Sequence, residues 1–454
     1  MLRTVILGLA VAAFAGCVGD EANTPDADDV PPATYYPPVD TDRLPVPDLD
    51  FTTAFDPTHG GDAGAHADPT QHEFEYGMTL VGYNPMTSPD EGGLPTSYDS
   101  SYIAIDTWGT YACVAHWSPS GGGGAEILDI TDPTQPRHIG SAQSGMFNSD
   151  CMFTDDGDYL LIGAYLGVHD GLPIVPAPLG DLLANGVAVY DVKDKANPVF
   201  LFHDVDGTDA NQYHNLFTAK INEVNYVFQT YTGSILELDA EGGDLKVVSS
   251  VPVADHDMWV GNHPVTGEWL MITGAAGGTA VYNVDDPTKP VDLGVWESHD
   301  GLTGWHRQWP LLNTVEGHAL MLVAGEEGCS SPTYYTVLDF TDPNDLIEMG
   351  NWTIPNGCAT QHEFESFGGY FATANYHQGL WLIDIGTIER AADPVTLGYY
   401  LPHNLPAEHG GTVNQPGASN PNVWGAAFDD RGYIVTADSF SGVYLLEFGA
   451  TAGA

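Results

Sequence analysis

One short pattern recurs seven times beyond residue 100: an apolar, β-branched or aromatic run, then an acidic or amide residue, then one more apolar residue. The copies are AEILDI (125–130), VAVYDV (187–192), ILELDA (235–240), TAVYNV (279–284), YTVLDF (335–340), LWLIDI (380–385) and VYLLEF (443–448). Most follow a glycine, as a tight turn before a strand requires. Successive copies lie roughly 44 to 63 residues apart, the spacing of a propeller whose loops are unequal. Short strands between Gly/Pro turns, with no helical period, predict an all-β chain.

Four copies run into a Pro-bearing turn: TDPTQP (131–136), KDKANP (193–198), DDPTKP (285–290) and TDPND (341–345). Asp and Pro stop the strand there, and a further short strand such as RHIGSA or PVTLGYY follows. Each unit therefore reads as four strands, and seven units predict a seven-bladed β-propeller. TLVGYNP (79–85) matches the outer strand TLGYYLP (396–402), while the seventh unit runs out after VYLLEF. The expectation is a ring closed by an N-terminal strand, with the propeller over residues 71–449 and a tail at 450–454.

The segment before it is of another kind. Residues 1–17, MLRTVILGLAVAAFAGC, carry one basic residue, an apolar run too short to span a bilayer, and small residues leading to Cys17. This reads as a lipoprotein signal peptide with Cys17 lipidated; a signal cleaved without lipid is the alternative. Residues 18–70 are rich in Pro, Asp, Thr and Ala, cannot bury enough apolar surface to fold, and read as a disordered acidic tether. The expected location is extracytoplasmic, anchored through lipid to the cell or outer membrane, and the expected state is a monomer.

Eleven basic against 62 acidic residues give a formal charge of −51. Phosphate binding needs Lys and Arg, so nucleic acid is excluded as an expected partner. An unidentified ligand or protein remains. The chain has no GxSxG elbow, phosphate-binding glycine loop, HExxH or CxxC motif.

The signature strands with their turns, ILDITDPTQPRHIGS and VYNVDDPTKPVDLGV, resemble LVIVD repeats, a family predicted to form extracellular β-propellers. The resemblance covers about residues 78–448 and implies fold more than function. The chain is also similar to the LVIVD-bearing surface proteins called choice-of-anchor B, which carry HN, HD and HQ pairs at blade starts.

Aligning the inner strands on their apolar residues gives HNLF (214–217), HDMW (256–259) and HRQW (306–309), each with a histidine three residues before an aromatic. Blade six offers QHEF (361–364) with the histidine shifted by one, and blade two DCMF (150–153) with Asp150 in the histidine position. Inner strands start at the channel mouth, so these side chains are expected to converge. His214, His256, His306 and His362 are the candidate ligands of a divalent or transition metal, because neutral imidazole binds such ions well. The alternative is that each ring hydrogen-bonds the next blade and closes the mouth structurally. The hexapeptide TQHEFE stands at both 70–75 and 360–365; by position, His362 belongs to the site and His72 to the tether.

His116 and His377 fall in loops expected on the same face, as do His169 and His299. Arg307, one of six arginines, fits either a substrate anion held by its fork of donors or a structural ion pair. DVDGTD (204–209) places Asp204, Asp206 and Asp209 like the start of a calcium loop without the full EF-hand spacing. Without Cys17, Cys113, Cys151, Cys329 and Cys358 remain; they allow three pairings, and their repeated placement between neighbouring blades favours Cys113–Cys151 and Cys329–Cys358.

Two functions follow. One is a lipid-anchored surface propeller that binds a ligand, glycan or protein on its loop face, with a His-lined metal site at the channel mouth. The other is a metal-dependent hydrolase, lyase or oxidase using the same site, a reading supported only by analogy with other propeller enzymes.

Overall fold

A computed structural model describes residues 75–86, 101–117, 124–143, 147–165, 186–204, 214–298, 305–326, 334–354, 361–376, 378–402, 422–439 and 442–449. The signal peptide with Cys17, the tether, His72, His169, His299, His377, Asp206, Asp209, Cys329 and Cys358 lie outside the described residues.

Seven antiparallel sheets form the fold. In chain order, the inner strands of blades one to six are Ser101–Trp108, Phe147–Phe153, Leu216–Ile221, Met258–Asn262, Arg307–Pro310 and Phe364–Phe367, and that of blade seven is Val423–Phe428. Every signature copy is the third strand of its blade, from Gly124–Asp129 in blade one to Gly442–Phe448 in blade seven. Met78–Asn84 lies antiparallel to Gly442–Phe448 and is the fourth strand of that blade, with Met78 opposite Phe448 and Asn84 opposite Val443.

The seven signature strands are apolar on both faces because both faces are covered. A buried apolar cluster fills the space between each pair of adjacent blades. One cluster joins Val435, Ala437 and Leu445 of blade seven to Ile105, Val114 and Leu128 of blade one. Exposure returns on the outer strands, as in Val291–Glu297, whose residues are mostly exposed. This is the burial pattern of stacked sheets, at about 25 cal/mol per Å² of apolar area removed from water.

Two elements depart from the sequence reading. Blade six has no Pro turn after its signature strand; Thr387 instead caps a single helical turn, Ile388–Ala392, accepting the Arg390 N–H at 3.1 Å. The pair Glu75–Tyr76 adds a fifth strand to blade six, opposite Tyr400 and Tyr399. The first TQHEFE copy thus ends on the outer rim of the blade whose inner strand, Phe364–Phe367, begins with the last two residues of the second.

Cys113 and Cys151 form a disulfide within the core between blades one and two, as expected, with Cα atoms 6.3 Å apart.

Candidate metal centre at the channel mouth

Neighbouring inner strands touch at one recurring level. The hydroxyls of Thr107, Thr218 and Ser366 donate to the carbonyls of Phe428, Phe153 and Pro310 in the preceding blade, at 2.6 to 2.7 Å. Four residues before Thr218, Pro310 and Ser366 stand His214, His306 and His362. These histidines are therefore at the same height, and the one-residue offset of His362 in the sequence alignment is corrected. The aromatic landmark was misleading: Phe217 of blade three and Trp309 of blade five are partly buried and meet each other, ring centroids 5.9 Å apart, whereas Phe364 is fully buried in the core between blades five and six.

The same register moves Asp150. It lies three residues before Phe153, level with Asn215, Arg307 and Glu363 rather than with the histidines. The aromatic landmark is again the cause: Phe153 is level with Thr218, whose hydroxyl meets its carbonyl, and not with Phe217. Its Oδ2 accepts the Leu216 N–H of blade three at 3.0 Å.

The four imidazoles form a row across blades three to six. His214 and His256 have centroids 4.2 Å apart, His256 and His306 4.0 Å, and His306 and His362 5.0 Å. His256 Nδ1 and both ring nitrogens of His306 are buried without a hydrogen-bond partner among the described residues. His362 Nδ1 lies 2.7 Å from the Trp424 carbonyl. A carbonyl only accepts, so Nδ1 carries the proton and Nε2 keeps a lone pair. Glu326 adds an oxygen donor: its Oε2 is 3.6 Å from His306 Nε2. One ligand atom each from His256, His306 and Glu326 lie within 4.8 Å of one another.

Charge state fits the same use. Burial, reinforced by the neighbouring imidazoles and Arg307, holds His256 and His306 well below the usual imidazole range. Burial pushes His362 down to about 3 despite its bond to Trp424, with Arg307 and His214 acting in the same direction. All three rings are neutral, the form that binds metal. A buried polar nitrogen with no partner is costly, and a cation with open coordination positions would relieve several at once.

Aromatic side chains wall the row. Trp305 packs edge-on to His256 and His306, Tyr231 against His214 and His256, and Tyr376 and Trp424 against His362. Tyr231 and Tyr376 both have left-handed backbones, φ 59° and 46°, a conformation that bulky residues seldom adopt. Tyr231, Glu326 and Tyr376 each stand two residues beyond the second strand of their blade, after Gln229, Ala324 and Ala374.

Below the histidines the channel is acidic around one cation. Arg307 donates from Nη1 to Asp257 Oδ2 at 2.6 Å and from Nε to the Phe364 carbonyl at 2.9 Å, and Nη2 is 4.0 Å from Glu365. Its guanidinium also lies over Trp309, 4.7 Å from the ring centroid. Of its two sequence readings, the structure realises the buried ion pair. Asp106 Oδ2 accepts the Phe153 N–H, and Glu365 Oε2 the Phe428 N–H. Burial raises Asp106 and Asp150 to about 8 and Glu365 to about 7.

Two further candidates lie apart from the row. His116 pairs with Glu126 at 3.0 Å, and Glu126 also meets His138 and Ser141. Burial would raise Glu126, but hydrogen bonds from His116 and His138 dominate and hold it at about 2. Asp204 ends the outer strand of blade two.

No family model and no curated protein matches the sequence. Among solved structures, the chain is similar to Kuenenia stuttgartiensis hydrazine synthase, with a TM-score of 0.50 and 11% identity over 80% of this chain and 99% of that one. The WD40 β-propeller domain of Doa1 gives 0.48 and 11% over 82% and 97%. A functionally unknown protein from Desulfotomaculum acetoxidans gives 0.45 and 12% over 69% and 90%. At such identities the likeness is one of fold alone.

Sequence reasoning missed Glu326, Tyr376, Tyr231, Trp305 and Trp424. A signal for three of them was present: second strands end at the face where inner strands begin. The last residues of AGE (324–326), ANY (374–376) and QTY (229–231) were thus as well placed as the inner-strand histidines.

Proposed function

We propose that the chain is an LVIVD-type surface propeller that holds one divalent transition metal at the channel mouth through His256, His306 and Glu326, with His214 and His362 beside them. The metal and the surrounding loop face together bind a ligand. The observation that carries this reading is the set of buried, neutral, unpartnered ring nitrogens of His256 and His306 facing a carboxylate. Imidazole and carboxylate donors suit Zn, Cu, Ni or Co better than Ca or Mg. The sequence of residues 1–17 supports a lipid-anchored, extracytoplasmic location.

A metal-dependent enzyme is the second reading. Three protein donors leave room for water or a substrate oxygen on the metal, and left-handed backbones at Tyr231 and Tyr376 are the kind of local strain found at functional sites.

Metal analysis of the anchor-free protein, alongside His256→Ala and His306→Ala, tests the proposal. About one equivalent in the wild type and its loss in both variants is the expected result. A metal-free wild type that stays metal-free after incubation with Zn, Cu, Ni and Co would end it. Given metal, a spectrum showing bound, exchangeable water favours the enzyme over a closed structural centre.

A further inference from the structure

We propose that Tyr376 is the positioning residue of this centre: its hydroxyl fixes Glu326 so that one carboxylate oxygen is turned toward His306 and the metal. The inference rests on the metal reading above.

The two oxygens of Glu326 are divided between two tasks. Oε1 accepts the Tyr376 hydroxyl, and Oε2 lies 3.6 Å from His306 Nε2. Glu326 follows the end of its strand, Leu320–Ala324, so the ladder does not set its direction. A hydrogen bond from the neighbouring blade does.

Tyr376 is itself held on every side. Its N–H donates to the Val423 carbonyl at 2.8 Å, and its carbonyl accepts the N–H groups of Val423 and Gly379 at 3.0 and 3.1 Å. The ring is set between His362 and Trp424, with centroids 5.0 and 5.2 Å away. These contacts maintain a φ of 46°, which an L side chain does not adopt without surrounding constraint. Phenylalanine would make the same packing contacts; only the hydroxyl reaches Glu326.

A carboxylate ligand swings freely unless its second oxygen is anchored, and loss of such an anchor typically weakens metal binding about 10- to 100-fold. Tyr376 also joins blade six to the donors of blade five. The centre therefore needs two blades in register to present its oxygen ligand.

The test is titration of chelator-stripped, anchor-free protein with Co(II) and Cu(II), using Tyr376→Phe, Glu326→Gln, Glu326→Ala and the double variant Tyr376→Phe/Glu326→Ala. We expect Tyr376→Phe to weaken binding about 10- to 100-fold and to shift the Co(II) visible spectrum in the same direction as Glu326→Gln. We also expect the double variant to bind no worse than Glu326→Ala alone, because the hydroxyl acts only through the carboxylate. Wild-type affinity and spectrum in Tyr376→Phe would overturn the inference, as would additive losses in the double variant. A phenolate-to-copper charge-transfer band, lost in Tyr376→Phe, would overturn it by making Tyr376 a ligand. Where His256→Ala and His306→Ala abolish binding and Tyr376→Phe does not, the metal reading stands and this inference falls. A wild type that binds neither ion removes both.

Discussion

His256 and His306 come from successive blades, yet their imidazoles stack at 4.0 Å with planes 28° apart. No backbone ladder joins the two strands at this point. What brings the rings together is the interlocking of blades four and five below them, where Trp259, Leu270 and Val281 pack on Met321, Val323 and Leu338.

That interlock depends on close backbone approach at Gly274, in the second strand of blade four. A Cβ there would lie 1.9 Å from the Trp305 carbonyl oxygen and 3.0 Å from Asp255 Cβ. The obstacle is main chain, so the segment Trp305–His306 must move. Gly274→Ala is expected to cost about 1–3 kcal/mol in urea unfolding and to lower metal occupancy, although residue 274 supplies no ligand. Unchanged occupancy would show that the His306 position does not depend on this contact.

Asp106 and Asp150 keep their protons to about pH 8 in the folded ring, chiefly because of burial. Unfolded aspartate titrates near 3.9. Between these values the unfolded chain releases protons that the folded chain retains, so stability is full below about pH 4, falls as pH rises, and levels off above about pH 8. Asp150 faces Asp257, Arg307 and Asp106. Asp150→Asn keeps an oxygen to accept the Leu216 N–H and removes the titration. Unfolding free energies of metal-free protein from urea titration at pH 5 and pH 8 should differ less in this variant, by at least about 1 kcal/mol. An unchanged pH slope would rule out Asp150 as its source.

Arg307 is the one cation contacting Asp257 and Glu365 among the described residues. Arg307→Met leaves buried carboxylates without a counter-charge and is expected to cost about 3–5 kcal/mol. Arg307→Lys retains the charge but loses the fork that reaches both Asp257 and the Phe364 carbonyl, so its loss should be intermediate. Urea unfolding at pH 7 of the two variants checks the order; a Lys variant as unstable as Met would assign the effect to hydrogen bonding rather than charge.

The repeat was legible because the third strand of every blade has the same task. It is covered on both sides by neighbouring blades, so its apolar run recurs wherever a blade occurs. The histidines were legible because the inner-strand start is a repeated position too. Their exact register was not, because Phe217, Trp309 and Phe364 look alike in sequence while the first two are partly buried and touch each other and the third is fully buried in a blade core. Asp150 was misplaced for the same reason: Phe153 looks like the partner of Phe217 in sequence, whereas its carbonyl meets the hydroxyl of Thr218.

The sequence alone determined the seven signature strands, favoured the Cys113–Cys151 pairing and singled out the four clustered histidines, since each follows from a residue's place within its own repeat. Tertiary structure decided that Glu326 and Tyr376 join those histidines, that Arg307 is spent on Asp257, and that His116 stands apart with Glu126. These contacts cross between strands or blades, and the distance between two side chains across a packed interface is set by how the sheets twist and approach. No spacing along the chain encodes that distance.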